Sequence, residues 1–338
     1  MYRDNFARHI LSITLYVQSE IMNALTFKHG HSRLRLNFEP YITLAGSKGA
    51  RLSDIADTLG ISRQAANQTA NQIEAAGYLQ RSPDPSDGRA KLLTRTPRAN
   101  ALIEQGTQQA ANVQHQFAAI VGAETIAATS LTLAQLNKRL GLLFPAQQAG
   151  ELLLAGVLPR LADHISSRLQ ALTMARGHPG LKRRFASVLM SIGPAGGHIQ
   201  QIADAQDVSK QAISAIVAEL EDLNYITRQP DPADARQVIL VFTRAGQRLI
   251  EDSIASTETL YKEFAALVGK RTLANAVDAL AQIYRNLNLG EGIFGHVETD
   301  DLPVIARQLT RQLGSDGARA LANLILFGNT DTHSEVTL

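Results

Sequence analysis

The 338-residue chain contains no cysteine, which excludes disulfides, thiolate metal sites and cysteine nucleophiles and fits a reducing compartment. It also lacks any apolar run approaching the roughly 18 uncharged residues that a spanning helix needs. Its opening stretch, MYRDNFARHI, carries an acid among its charges and no apolar h-region, unlike a secretory signal. The expectation is a soluble, unexported, cytoplasmic protein with no membrane contact. Catalytic signatures are missing too: neither G-x-S-x-G nor H-E-x-x-H occurs, and each of those spacings is what its chemistry requires. The glycine-rich stretches GSKGA (46–50) and GPAGG (193–197) do not continue as the G-K-[ST] of a phosphate loop. His29 and His31 have the spacing of a metal pair, but no carboxylate cluster accompanies them. We therefore expect no enzyme, no metal and no cofactor. Net charge is also scarce: 33 Lys and Arg face 31 Asp and Glu, leaving +2. That is too little to announce a nucleic-acid partner, so any such case depends on where the charges lie.

What the chain does have is an ordinary globular mix, 45% apolar and 19% charged, and enough length for two or three domains. It also has a long internal repeat. Shifted by 147 residues, IADTLGISRQAANQTANQIEAAGYLQRSPDPSDGR (from 55) lies over IADAQDVSKQAISAIVAELEDLNYITRQPDPADAR (from 202) without a gap. Ser62/Ser209, Gln64/Gln211, Tyr78/Tyr225, Arg81/Arg228, Asp87/Asp234 and Arg89/Arg236 coincide, as do His31/His178 and Phe38/Phe185. A repeat this long is a domain and not a solenoid unit. We expect domains at 1–147 and 148–290. A C-terminal helical extension at 291–338 has no counterpart after the first copy; its Leu302, Ile305, Leu309, Leu313, Leu321, Leu324 and Ile325 predict two helices.

Within each copy the local signals agree. A short helix (53–59 in the first) leads to a turn at Gly60 or Asp207, and Ser62 or Ser209 N-caps a second helix. In the second copy Ile213, Ile216, Val217, Leu220 and Leu223 form an inward stripe at helical spacing. By the repeat, the first copy's inward set is Ala66, Thr69, Ala70, Ile73 and Ala76. Arg63, Gln64, Asn67, Gln68 and Asn71 are then left outside, as are Lys210, Gln211, Ser214 and Ala215 in the second copy. The β-prone YLQR or YITR, Pro-Asp-Pro, and AKLLTRT or QVILVFT predict a two-stranded hairpin. Thr96 and Thr243 cap a long helix ending near 121 and 268. Further amphipathic helices are expected over 4–30, 98–143, 150–176 and 245–288, forming a core shared between the copies.

A helix-turn-helix followed by a basic hairpin is a winged helix, and these segments resemble the MarR family of bacterial transcription regulators over about 31–121 and 178–268. The resemblance implies a mainly α fold with small β-wings (α+β): two tandem winged helix-turn-helix domains around a shared helical dimerisation-type core. It implies a DNA-binding transcription factor, such as a repressor, acting on double-stranded DNA. Members are usually single-copy dimers, so the fusion implies an intramolecular, covalent pseudo-dimer, or half of a larger assembly formed by further self-association. It also implies a pocket for a small aromatic or acidic effector, for which Tyr16, His29, His31, Arg33 and His178 are candidate liners.

The residues suit DNA on physical grounds. A helix in the major groove offers base edges the side chains of its first turns, where Arg reads guanine and Asn or Gln reads adenine. Ser62, Arg63, Gln64, Asn67 and Gln68 occupy such positions, with Ser209, Lys210, Gln211 and Ser214 as the less capable second set. In the wings Arg89 and Arg236 can enter the minor groove, with Asp87 and Asp234 holding the guanidinium groups. Lys91 and Arg95 would touch phosphate. Residues 31–98 hold ten Lys or Arg against six acids, and 178–244 hold seven against seven, so the first copy should bind DNA more strongly. The alternative is a duplicated winged-helix scaffold that binds protein and has reduced or lost DNA contact.

Overall fold

A computed structural model gives the fold of residues 5–142, 153–192, 196–206, 208–231 and 236–292, apart from the side chains of residues 88, 89, 291 and 292. One order of elements runs through it twice. The first pass is α1 (Phe6–Asn23), α2 (Glu39–Ala45), β1 (Ala50–Arg51), α3 (Leu52–Leu59), α4 (Arg63–Ala75), β2 (Leu79–Asp84), β3 (Asp87–Arg95), α5 (Pro97–Val121) and α6 (Ala123–Arg139). The second is α7 (Leu154–Ala175), α8 (Phe185–Ser191), α9 (Ile199–Ala205), α10 (Lys210–Asp222), β4 (Ile226–Pro230), β5 (Val238–Phe242), α11 (Arg244–Val268) and α12 (Lys270–Asn286), closed by α13 (Leu289–Gly292). α4 and α10, α5 and α11, and α6 and α12 start and stop 147 residues apart. The repeat seen in the sequence is thus a repeat of structure. The helices expected around 302–325 lie outside the described residues.

Helix ends fall where side chains can satisfy the first free N–H groups. Ser62 Oγ accepts from Ala65 N at 3.2 Å, and Ser209 Oγ from Ala212 N at 3.2 Å. Thr96 and Thr243 do the same for Ala99 N and Gly246 N. Gly60 ends α3 with a left-handed φ of 65°, the conformation that lets a helix stop and the chain turn at no steric cost.

The first wing is more than a hairpin. β2 and β3 pair antiparallel from Leu79↔Arg95 to Pro83↔Lys91, and β1 joins β3 through Ala50↔Leu93, making three strands. Gly49 admits that third strand: at φ 83° a Cβ there would stand 2.8 Å from Thr94 Cγ2. The second wing keeps the β4–β5 pair, and the place of β1 is held by a single bridge, Gly197↔Leu240.

Among the described residues three apolar clusters hold the fold together. One lies inside each winged helix, around Tyr78, Phe38 and Ile73 in the first copy and Phe185, Val217 and Leu220 in the second. The first copy's thin inward stripe works because Ala66 and Ala70 are completely buried, letting α4 sit close to its neighbours while Tyr78 and Phe38 fill the volume. The third cluster draws on both copies: Phe6, Ile10, Ile13, Phe117 and Leu133 pack with Leu158, Ile165, Phe264, Leu280 and Ile283. Its contacts are reciprocal, α1 on α12 matching α7 on α6, while α1 meets α7 and α6 meets α12. Self-matching contacts of this kind are what an isologous interface has. Arg8 Nε donates to Tyr284 Oη at 2.8 Å across the junction, and Asn137 Nδ2 to the Val157 carbonyl at 2.8 Å. Among the described residues no single helix is long and apolar enough to cross a membrane.

Candidate nucleic-acid interface

Capping by Ser62 sets the start of α4, and the buried Ala66–Ala70–Ile73 stripe sets its rotation. Arg63, Gln64, Asn67 and Gln68 consequently face solvent. α10 starts the same way, with Ser209 as cap and Lys210 and Gln211 exposed. Ser214, expected on the outward face, is only half-exposed, because Ile213 and Val217 beside it turn inward.

The exposed amides are not all free. Arg81, the first exposed basic residue of β2, reaches back to α4, where Nη2 donates to Asn67 Oδ1 at 2.9 Å and Asn71 Oδ1 at 3.0 Å, and Nη1 pairs with Glu74. In the second copy Arg228 Nη2 pairs with Glu221 Oε2 at 3.2 Å. Serine and alanine stand there at 214 and 218, so no carboxamide is held. Arg35 donates to Gln72 Oε1 at 3.2 Å, a place taken in the second copy by Lys182 and Arg184 on Glu219. Those two cations hold the Glu219 carboxyl below its ordinary range, the Lys182 hydrogen bond being the larger cause.

In the first wing Asp87 and Lys91 lie on β3, Lys91 exposed opposite Pro83, and the backbone of Arg89 lies between them. Asp87 Oδ2 faces Arg51 Nη2 at 3.5 Å, and Arg51 binds Asp84 more closely, at 2.6 Å. Hydrogen bonds from the Ser86 hydroxyl and amide, and then from Arg51, hold the buried Asp84 carboxyl down at about 2. The wing-tip anchor therefore keeps its charge at every pH well above that value. In the second wing Arg236 is exposed just before β5, and Asp234 lies outside the described residues.

Two expectations change. Arg95 does not reach outward to phosphate: its Nε donates to the Ile42 carbonyl at 2.7 Å and its Nη2 to that of Thr43 at 3.1 Å. It thereby closes the end of α2, and burial lowers its pKa. The proposed effector liners also fall elsewhere. His31 is buried between Tyr78 Oη (3.1 Å) and Gln105 Oε1 (2.8 Å), and His178 between Tyr225 Oη (3.0 Å) and Asp252 Oδ2 (3.0 Å). These matched clusters fix each winged helix to its long helix. Tyr16 contacts Gln116 on α5, while His29 and Arg33 are exposed. None of the five lines the large cavity of about 900 Å³, which opens between the end of α1, α2, α5 and α7. Arg35, Glu39, Gly106, Arg160 and His164 line it instead, and burial pulls the Arg160 guanidinium down.

Sequence reasoning passed over Arg35, Arg51 and Arg81. Arg81 left a signal, since it recurs as Arg228 and stands on the wing strand that follows the helix. Arg35 and Arg51 left none, because their partners come from elements distant in sequence.

Each copy is thus a winged helix-turn-helix with an accessible second helix and a hairpin beside it, the first copy's hairpin carrying the excess of basic residues. Residues 42–90 and 180–237 match the model described as the MarR family. The two matched regions lie in tandem, one in each copy, so the chain carries two MarR-like winged-helix regions. Similar solved structures include the transcriptional regulator Tm0710 from Thermotoga maritima, 25% identical, covering 38% of this chain and 92% of that one at a TM-score of 0.31. A MarR-family regulator from Rhodococcus sp. RHA1 is 22% identical, covering 37% and 91% at 0.28. CouR from Rhodococcus jostii RHA1, bound to p-coumaroyl-CoA, is 22% identical, covering 37% and 89% at 0.28. No curated protein matches the chain.

Proposed function

We propose that the chain is a sequence-specific double-stranded DNA-binding transcription regulator that engages its operator as a covalent pseudo-dimer and responds to a small ligand. The observation that carries this reading is the pair of accessible, equivalently capped helices, α4 and α10, on two copies joined by reciprocal contacts. The working division is 1–147, 148–290 and 291–338. Arg63, Gln64, Asn67 and Gln68 read bases in one half-site, with Lys210, Gln211 and Ser214 weaker in the other. Lys91 touches phosphate, and Arg89 and Arg236 enter the minor groove beside the wings. A protein-binding scaffold would not need Arg63, Gln64 and Lys210 exposed at the start of two such helices.

Changing Lys91→Ala is the test. It should weaken binding evenly across sequences and reduce the slope of log affinity against log salt by about 1, the mark of one lost phosphate contact. An unchanged slope would remove Lys91 from the interface.

The ligand-responsive part of the reading rests on the 900 Å³ cavity, whose wall includes Arg35, a partner of Gln72 on α4. Cavities of this size, mainly apolar with a few polar groups, suit small organic molecules. Screening organic anions by thermal shift should find one that raises the wild-type Tm, with Arg160→Met abolishing the effect. A shift that persists in Arg160→Met would place the ligand elsewhere.

A further inference from the structure

We infer that Arg81 is a specificity-positioning residue: it makes Asn67 a donor-only reader of bases, and so gives the protein an asymmetric, guanine-preferring operator. The inference rests on the DNA-binding reading and goes beyond it. A free Asn in the major groove offers both amide atoms, Oδ1 accepting from adenine N6 while Nδ2 donates to N7. Here Oδ1 of Asn67 and Oδ1 of Asn71 both accept from Arg81 Nη2, at 2.9 and 3.0 Å. A guanidinium has five donors and no acceptor, so each amide must turn its oxygen to Arg81 and its NH₂ away. The clamp is firm. Glu74 takes the other nitrogen of Arg81, and the two side chains are only 31% and 22% exposed.

With its oxygen turned to the wing side of α4 and held there by Arg81, Asn67 aims its N–H groups, and not its remaining lone pair, at a base edge. Guanine answers that with two acceptors, N7 and O6, adenine with one, and cytosine with a donor that repels it. The second copy has no such device. Arg228 is bound to Glu221 alone among the residues described at this face, and positions 214 and 218 are serine and alanine. Two fused but unequal reading faces therefore meet two unequal half-sites, whereas a homodimer meets a palindrome.

The experiment is selection of duplexes from a random pool by the full chain and by Arg81→Met, Arg228→Met and Asn67→Ala, with thermal unfolding of each recorded. Wild type should enrich a non-palindromic site whose sequence information is concentrated in one half. Asn67→Ala should erase a guanine preference at one position there. Arg81→Met should move that position toward adenine, the guanine-to-adenine ratio falling about tenfold, while Arg228→Met leaves all base preferences as they were. If Arg81→Met does not fold, wild-type protein still decides the matter. Replacing that guanine by 7-deazaguanine, which lacks the N7 acceptor, should lower affinity about tenfold. A palindromic wild-type site, or an Arg81→Met profile with unchanged preferences, overturns the inference and leaves DNA binding standing. Failure to enrich any duplex overturns the DNA-binding reading itself, and this inference with it.

Discussion

Replacing Arg63 and Asn67 together by alanine is expected to weaken specific DNA binding by roughly 30-fold to 20,000-fold, because each well-placed base contact discriminates by about 1–3 kcal/mol. Binding to unrelated duplex should change far less, since phosphate contacts carry that term. The fold should survive: both side chains are exposed, and the buried stripe of α4 is untouched. The same change in the second copy, Lys210→Ala with Ser214→Ala, should have a smaller effect, Ser214 being half-buried with a single short hydroxyl. Titrations with specific and unrelated duplexes would separate the cases. Equal losses from the two double variants would mean that both copies read sequence alike.

The second large effect is on stability. Phe264→Ala should cost about 3–5 kcal/mol, the usual range for deleting a buried aromatic ring. Phe264 is 1% exposed in the cluster shared by both copies, with the Phe6 ring of the first copy 6.0 Å away in an edge-on arrangement. Damage there should reach both copies at once. Thermal unfolding should keep a single transition at lower temperature. Two transitions, with the one from the first copy unmoved, would show that the copies fold independently.

Much of the fold was legible because the repeat let each copy correct the other. The first copy's recognition helix has almost no hydrophobic signature, only Ala66, Ala70 and Ile73. Laid over Ile213, Val217 and Leu220, it acquires one, and the inward face read that way is the buried face of α4. Caps at Ser62, Thr96, Ser209 and Thr243 were readable for a different reason: a cap depends on groups two or three residues away. The third strand β1 was not, since Ala50 and Arg51 become a strand only by lying against Leu93 and Leu92.

Side-chain destinations were least legible. Arg95 looked like a phosphate contact because it is a basic residue on a wing, and it turned inward because α2 ends in carbonyls within its reach. His31 and His178 looked like ligand liners, yet each is paired with a tyrosine 47 residues away, a separation at which sequence spacing carries no signal. The amide run that makes α4 unusual was read correctly as exposed. Its tethering to Arg81 depends on how β2 leaves the helix, which only the folded chain shows.

The central claim is that one chain supplies both halves of the binding unit, and the mass of the protein–DNA complex tests it most directly. Native mass spectrometry of the full chain with its selected duplex should give one chain per duplex. Footprinting of that complex should protect two stretches about one helical turn, roughly 34–36 Å, apart. Two chains per duplex, with protection lost only when the first copy's Arg63 and Asn67 are changed, would contradict it: the chain would then dimerise on DNA through its first copies, and α10 would not be a reading helix.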